Sequence, residues 1–173
     1  PHDPEVIDAM RPFFETEFGN PSSSHYYGNK PKQAVMHARE QVACLLNCQP
    51  EEIIFTSGGT ESNNFAIKGC AERLRDKGNH IITSQIEHPA VLEVCQYLKT
   101  RGCSITILPV DEFGRVDVDA VAAAIKPETI LISIMHANNE VGTVQPIPDI
   151  ARLDKKQNIV MHTDAVLPVG KIP

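Results

Sequence analysis

Residues 53–64 read Ile-Ile-Phe-Thr-Ser-Gly-Gly-Thr-Glu-Ser-Asn-Asn, an apolar run that stops at two glycines before a capping-type Thr-Glu pair. This order predicts a strand that leads into the N-terminus of a helix. The first backbone N–H groups of a helix lack partners and the helix dipole is positive there, so a phosphate can bind. A Gly-Gly turn also occurs as a plain connection. The segment alone leaves both interpretations equally open.

The same stretch does not match the common nucleotide motifs. It fits neither G-x-G-x-x-G nor G-x-x-x-x-G-K-[ST], and no acidic residue follows a dinucleotide fingerprint. A Rossmann-like nucleotide binder is therefore disfavoured, and another phosphate-bearing ligand is needed.

Composition narrows the class of protein. The 173 residues are 42% hydrophobic and carry a net charge of −6 without a Lys/Arg cluster, which argues against nucleic acid as a partner. No apolar run of roughly 18 residues predicts a membrane span. The five cysteines form no C-x-x-C pair, which argues against disulfides and structural zinc. We expect a cytoplasmic protein without a bound metal.

Strand and helix patterns alternate along the chain. Short β-branched runs that look apolar on both faces are typical of a parallel sheet covered by helices on both sides. The predicted strands are 52–56, 80–84, 104–109, 129–135 and 159–163. The predicted helices are 5–18, 32–46, 60–75, 89–99, 117–125 and 148–156. The fold class predicted from these patterns is α/β.

Polar clusters follow four of the predicted strands. They are Thr56 to Thr60, Glu87-His88, His136 to Glu140 and Thr163-Asp164. Ligands of such sheets bind beyond the carboxyl ends of the strands, so these clusters should converge. They offer a phosphate site, an imidazole, carboxamides and a carboxylate, which together suit pyridoxal phosphate. Asp164 is placed to keep the pyridine nitrogen of that cofactor protonated.

A family resemblance rests on five motifs in order. The chain resembles the NifS-like cysteine desulfurases, fold-type I pyridoxal-phosphate enzymes of the class V aminotransferase group, and the resemblance covers essentially its whole length. It implies a three-layer α/β/α sandwich with a mainly parallel sheet. The motifs are Gly19-Asn20-Pro21-Ser22-Ser23 with His25 and Gly28, Thr56 to Asn64, Glu87 to Leu92, Asn138 to Ile147, and His162-Thr163-Asp164-Ala165.

The resemblance implies a role for each of five residues. Gly59 and Thr60 would hold the phosphate, and His88 would stack on the ring and move protons. Asn139 would approach the phenolic oxygen and Asp164 would pair with the pyridine nitrogen. Taken singly, Asn139 could merely shape a loop and His88 could merely cap the following helix.

The chain departs from the family pattern in three places. Leu167 stands where the pattern Asp-Ala-x-Gln has a glutamine, and leucine cannot donate a hydrogen bond. The segments with the Schiff-base lysine and the persulfide cysteine have no match, and a short N-terminal piece is also unmatched. We therefore expect part of a large domain, incomplete at both ends, with a helix and loop segment at 1–30 and the cofactor-binding domain at 31–173.

The implied activity is conversion of L-cysteine to L-alanine, with sulfur transferred to an enzyme cysteine as a persulfide. This would supply iron–sulfur cluster or thio-cofactor assembly, and the fragment alone should be inactive. The resemblance further implies a homodimer and scaffold or acceptor proteins as partners. Selenocysteine lyase and a non-catalytic sulfur-transfer scaffold remain as alternatives.

The remaining histidines and cysteines have weaker signals. His80, His136 and His162 lie at strand ends without metal-ligand spacing. Cys95 and Cys103 fall in a predicted helix and a predicted strand interior. We expect both thiols to be buried and inert.

Overall fold

The computed structural model describes residues 2–154 and 158–172, without the side chain of Asp154. The chain divides into two compact units, Pro1–Phe55 and Thr56–Pro173. The predicted division at residue 30 stays a prediction.

The first unit is helical. Helix α1 spans Pro4–Glu15, and the Asp3 side chain caps it by accepting a 2.9 Å hydrogen bond from the Glu5 N–H. Helix α2 spans Tyr26–Leu46 and ends at Asn47, whose backbone is left-handed with φ 53° and ψ 47°. This helix begins six residues before the predicted start. A short 3-10 turn follows at Pro50–Glu52.

The second unit alternates helices and strands. Its elements are α3 (Gly59–Arg73), β1 (His80–Ser84), α4 (Pro89–Thr100), β2 (Ser104–Leu108), α5 (Val118–Ala124), β3 (Thr129–Ser133), α6 (Ile147–Asp154) and β4 (Val160–His162). The strands form one parallel sheet in the order β2-β1-β3-β4. The predicted α/β class with a parallel sheet is confirmed.

Helices cover both faces of the sheet. On one face α3 and α4 pack on Ile81 and Leu131, and this core includes Ile67 and Val91. On the other face Ile82, Ile132 and Ile150 belong to a second core that includes residues of α5 and α6. Alternate residues of each strand point to opposite faces, so Ile81 lies in the first core and Ile82 in the second. The result is the three-layer sandwich that was expected.

Two details of the sequence prediction are wrong. No strand forms at residues 52–56: the 3-10 turn occupies part of it, Ile54 is 63% exposed, and no described strand pairs with the segment. An apolar run becomes a strand only with a neighbour to accept its hydrogen bonds. In addition, β2 and β4 are partly exposed because they lie at the sheet edges, whereas β1 and β3 are buried throughout.

The other predicted elements form within a few residues of their expected bounds, apart from the early start of α2. The predicted end of the last helix, 155–156, lies outside the described residues. Within residues 2–154 and 158–172, no helix has both the length and the apolar character to cross a membrane. Over the same residues, no cluster of three His, Cys, Asp or Glu side chains could hold a metal ion.

Candidate functional site

A cavity of about 320 Å³ opens at the carboxyl ends of the strands in the second unit. This volume is at the lower end of the range for small-ligand pockets, roughly 300–1,000 Å³. All six residues predicted as site residues line it. The lining residues are Gly59, Thr60, Asn63, His88, Met135, Ala137, Asn139, Asp164, Val166, Leu167 and Pro168.

The N-terminus of α3 forms one wall of the cavity. Gly58 is the N-cap residue and its carbonyl accepts from Ser62 N–H. The Glu61 carboxylate accepts from both the N–H and the hydroxyl of Ser57, at 2.6 and 2.7 Å. Within the described residues, the N–H groups of Gly59 and Thr60 donate no hydrogen bond. These two donors are available to an anion.

A side chain at Gly59 would overlap a neighbouring side chain at this wall. A Cβ atom added there would lie 2.8 Å from Val166 Cγ2. That distance is shorter than a normal contact, so the side chain of Val166 would have to move if residue 59 carried a Cβ. The glycine keeps the helix N-terminus open to the cavity.

Asp164 is held by two hydrogen bonds in the loop after β4. Asn63 Nδ2 donates to Oδ2 at 2.8 Å, and Val166 N–H donates to Oδ1 at 3.1 Å. Asn63 is only 4% exposed. Donors on both oxygens fix the orientation of the carboxylate.

His88 both caps α4 and lines the cavity. Its Nδ1 accepts a 3.0 Å hydrogen bond from Ala90 N–H. In the neutral ring an accepting Nδ1 leaves the proton on Nε2. The capping interpretation is therefore correct, and it does not exclude a role in the site.

The loop after β3 is shaped by Asn138, which leaves Asn139 to line the cavity. Asn138 Oδ1 accepts from the N–H groups of Glu140 and Val141 at 2.9 and 3.0 Å, and its Nδ2 donates to Ile86 carbonyl at 3.1 Å. The loop-shaping role considered for Asn139 thus belongs to its neighbour.

Behind the cavity lies Glu87, which is 5% exposed. Its Oε1 accepts from Ser84 Oγ at 2.6 Å and from Met135 N–H at 2.9 Å. Burial raises the pKa of Glu87 to about 7; these two hydrogen bonds oppose the rise, and the charge of Asp164 adds to it.

The donor set fits pyridoxal phosphate. Gly59 and Thr60 offer unpaired N–H groups, and the absence of a Cβ at Gly59 avoids an overlap with Val166 beside them. Asp164 offers a carboxylate that Asn63 holds in place. Thr163 Oγ1 is buried without a partner in the described residues. Leu167, which is 48% exposed, supplies no donor. The individual roles of the six predicted residues stay predictions.

Two other histidines form hydrogen bonds within the sheet. His80 is fully buried, and its ring nitrogens bond the hydroxyls of Thr129 and Thr106 at 2.7 and 2.8 Å. His162 Nδ1 bonds Ser133 Oγ at 2.8 Å. Burial lowers the pKa of both rings.

The thiols of this unit are poor nucleophiles. Cys95 is buried in α4, and burial raises its pKa to about 11. Burial also raises the pKa of Cys70 and Cys103. The prediction for Cys103 is wrong in one respect: it lies in the turn before β2 and is partly exposed.

Sequence reasoning assigned no role to two residues that the structure places at or beside the cavity. Asn63 follows Gly59 by four positions, so it lies on the same face of α3 and could have been placed at the site. Glu87 was named only as part of a polar cluster. Its burial against Met135 depends on a contact 48 positions apart in sequence, for which the local pattern contains no signal.

Comparison with known proteins places these features in a family. The family model described as aminotransferase class-V matches residues 1–173. A cysteine desulfurase IscS of Dictyoglomus turgidum is 54% identical over 169 residues, which are 98% of this chain and 43% of the relative. A mitosomal cysteine desulfurase of Encephalitozoon cuniculi is 51% identical over 175 residues, covering 99% of this chain and 40% of the relative. The chain thus spans less than half the length of these relatives.

Solved structures agree with the fold. A NifS-like protein superposes with a TM-score of 0.94 at 43% identity, covering 99% of this chain and 47% of that protein. SspA in complex with cysteine gives a TM-score of 0.91 at 43% identity, covering 95% and 48%. Class-V aminotransferases and the cysteine desulfurases among them depend on pyridoxal phosphate. The sequence motifs, the three-layer fold and the match over all 173 residues show that the chain belongs to the class-V aminotransferase family.

Proposed function

We propose that this chain forms the cofactor-binding part of a pyridoxal-phosphate-dependent cysteine desulfurase. The observation that carries the proposal is the convergence of three groups on one cavity: the N-terminus of α3, the helix-capping imidazole of His88 and the doubly hydrogen-bonded carboxylate of Asp164. The names of the relatives, at 51–54% identity, support the same activity.

The proposed reaction transfers sulfur from L-cysteine to a thiol. The C–S bond of cysteine breaks, the sulfur joins the acceptor thiol as a persulfide, and a proton replaces it on carbon to give L-alanine. Pyridoxal phosphate, when bound, supplies an electron-poor ring that stabilises negative charge on the substrate carbon. We do not assign the acceptor thiol to Cys70, Cys95 or Cys103, because burial raises the pKa of each.

The residues of this chain would act by binding and orienting. Gly59 and Thr60 N–H groups would bind the phosphate, and Asp164 would hold the proton on the pyridine nitrogen. The Nε2 proton of His88 is available for transfer at the cavity wall. A homodimer and delivery of sulfur to iron–sulfur scaffold proteins are part of the proposal.

A chimaera tests the activity. Residues 1–173 replace the matching segment of the Dictyoglomus turgidum relative, and alanine and sulfide are measured with L-cysteine and a thiol reductant. We expect turnover, and we expect Asp164→Asn in the chimaera to abolish it. A folded chimaera that binds the cofactor without turnover would contradict the desulfurase assignment.

A non-catalytic relative is the second candidate, and Leu167 favours it. One side of the cavity is apolar, because it is formed by Val166, Leu167 and Pro168.

Selenocysteine lyase is tested in the same assay by supplying L-selenocysteine. Preference for that substrate would replace the cysteine assignment.

A further inference from the structure

Glu87 connects two loops of the cavity through one oxygen atom. It immediately precedes His88 in the loop between β1 and α4. Its Oε1 accepts from Ser84 Oγ at the end of β1 and from Met135 N–H in the chain after β3. His88 and Met135 both line the cavity, and Asn139 follows on the same loop as Met135. Glu87 therefore sets the spacing between two walls.

A second contact joins the same two loops. Asn138 Nδ2 donates to the carbonyl of Ile86 at 3.1 Å and contacts Met135 Sδ at 3.6 Å. Two hydrogen bonds therefore connect the loop that carries His88 to the loop that carries Asn139. One runs from Met135 N–H to Glu87, and the other from the Asn138 side chain to the Ile86 carbonyl.

The surroundings of Glu87 oppose a negative charge. No described cation forms an ion pair with it, and its Oε2 is buried without a hydrogen-bond partner in the described residues. The titratable groups that face it are Asp164, from the loop after β4, and Cys95, from α4. The chain after β3 presents the backbone N–H of Met135. An ionised carboxylate would have two donors at Oε1 but neither a paired cation nor a donor at Oε2, whereas a neutral acid can accept at Oε1 and carry its proton on Oε2.

We propose that Glu87 is a positioning residue of the cofactor cavity, a neutral carboxylic acid that holds the His88 loop against the loop carrying Met135 and Asn139. The assignment of the cavity to pyridoxal phosphate rests on the proposed function, whereas the connection itself does not. Ionisation of Glu87 would keep both hydrogen bonds at Oε1, but it would add a second buried negative charge beside Asp164.

The direct test follows the Met135 amide proton by NMR between pH 5 and 9. Because Met135 N–H donates to Oε1, its chemical shift reports the protonation of Glu87. We expect a midpoint near 7 in the wild-type chain, no such titration in Glu87→Gln, and wild-type behaviour in the control Glu112→Gln at an exposed carboxylate. A wild-type midpoint below 5 would overturn the proposal.

Binding of pyridoxal phosphate at pH 6 tests the positioning role. Glu87→Gln keeps an acceptor oxygen and should bind like wild type, whereas Glu87→Leu loses both hydrogen bonds and should bind about tenfold more weakly. Equal binding by Glu87→Leu, or equal weakening by Glu87→Gln, would overturn it. If Glu87→Leu does not fold, the Met135 titration and Glu87→Gln decide. If wild type binds no pyridoxal phosphate, the proposed function fails while the titration still tests the connection.

Discussion

Asn63 Nδ2 donates a 2.8 Å hydrogen bond to Asp164 Oδ2, joining α3 to the loop after β4 across 101 positions of sequence. The bond orients the carboxylate that would face the pyridine nitrogen. It also fixes the N-terminal half of the helix whose first N–H groups line the same cavity. One buried amide thus aligns the two ends of the candidate site.

Asn63→Leu should reduce both stability and cofactor affinity. It removes a hydrogen bond to a charged group at a buried position, which costs about 1–3 kcal/mol. The free energy of unfolding in urea measures the first effect, and titration with pyridoxal phosphate measures the second. Asn64→Leu, one position along, removes only a bond to the Thr60 carbonyl and should cost less. Equal losses in the two variants would contradict a special role for Asn63.

Gly59→Ala should weaken phosphate binding because its Cβ meets Val166 Cγ2. The double variant Gly59→Ala with Val166→Ala removes the clashing methyl group and should recover affinity. Gly69→Ala, with no atom within 4 Å of the added Cβ, is the matched control and should gain up to about 1 kcal/mol in stability. Additive effects of the two changes at 59 and 166 would show that they do not interact.

Leu167→Gln should tighten binding of pyridoxal phosphate several-fold, since it introduces a donor at the cavity wall. Val169→Gln is the control, because Val169 is similarly exposed but does not line the cavity. Binding is compared by calorimetry. If Leu167→Gln changes neither affinity nor turnover of the chimaera, the departure at this position has no functional consequence.

Sequence reasoning brought the six predicted residues to one cavity because strand ends and polar clusters are local features. His88, Asn139 and Asp164 each directly follow or lie close to the end of a predicted strand, and parallel strands bring such ends together. It failed at 52–56, because pairing decides whether an apolar run becomes a strand. It did not identify the partners of Asp164 and Glu87, since both contacts join residues distant in sequence.

His80 should destabilise the protein in acid. Burial lowers its pKa below the usual 6.5, so the unfolded chain binds a proton at a higher pH than the folded chain does. Above pH 6.5 His80 is neutral in both states and does not favour unfolding. As the pH falls below 6.5, protonation of His80 in the unfolded chain lowers the free energy of unfolding. His80→Gln should therefore flatten the acid side of the stability profile from urea unfolding.

The exposed His37 provides the matched control for that profile. His37→Gln should leave the acid slope unchanged, because its side chain is 71% exposed. His162, whose pKa is lowered by the same cause, contributes in the same direction as His80. An unchanged slope in both His80→Gln and His162→Gln would contradict this account.

No described lysine lines the cavity. Borohydride reduction of the chain with pyridoxal phosphate should therefore leave no single lysine selectively modified. Peptide mass spectrometry would show this. Stoichiometric modification of one lysine would mean that the chain carries its own covalent attachment point.

Calorimetric titration of the 173-residue chain with pyridoxal phosphate tests the central claim most directly. We predict saturable binding at one site, weakened by Asp164→Asn and by Gly59→Ala and unaffected by Glu112→Gln. Absence of saturable binding in a folded chain, or equal affinity in all four proteins, would contradict the assignment of this cavity to the cofactor.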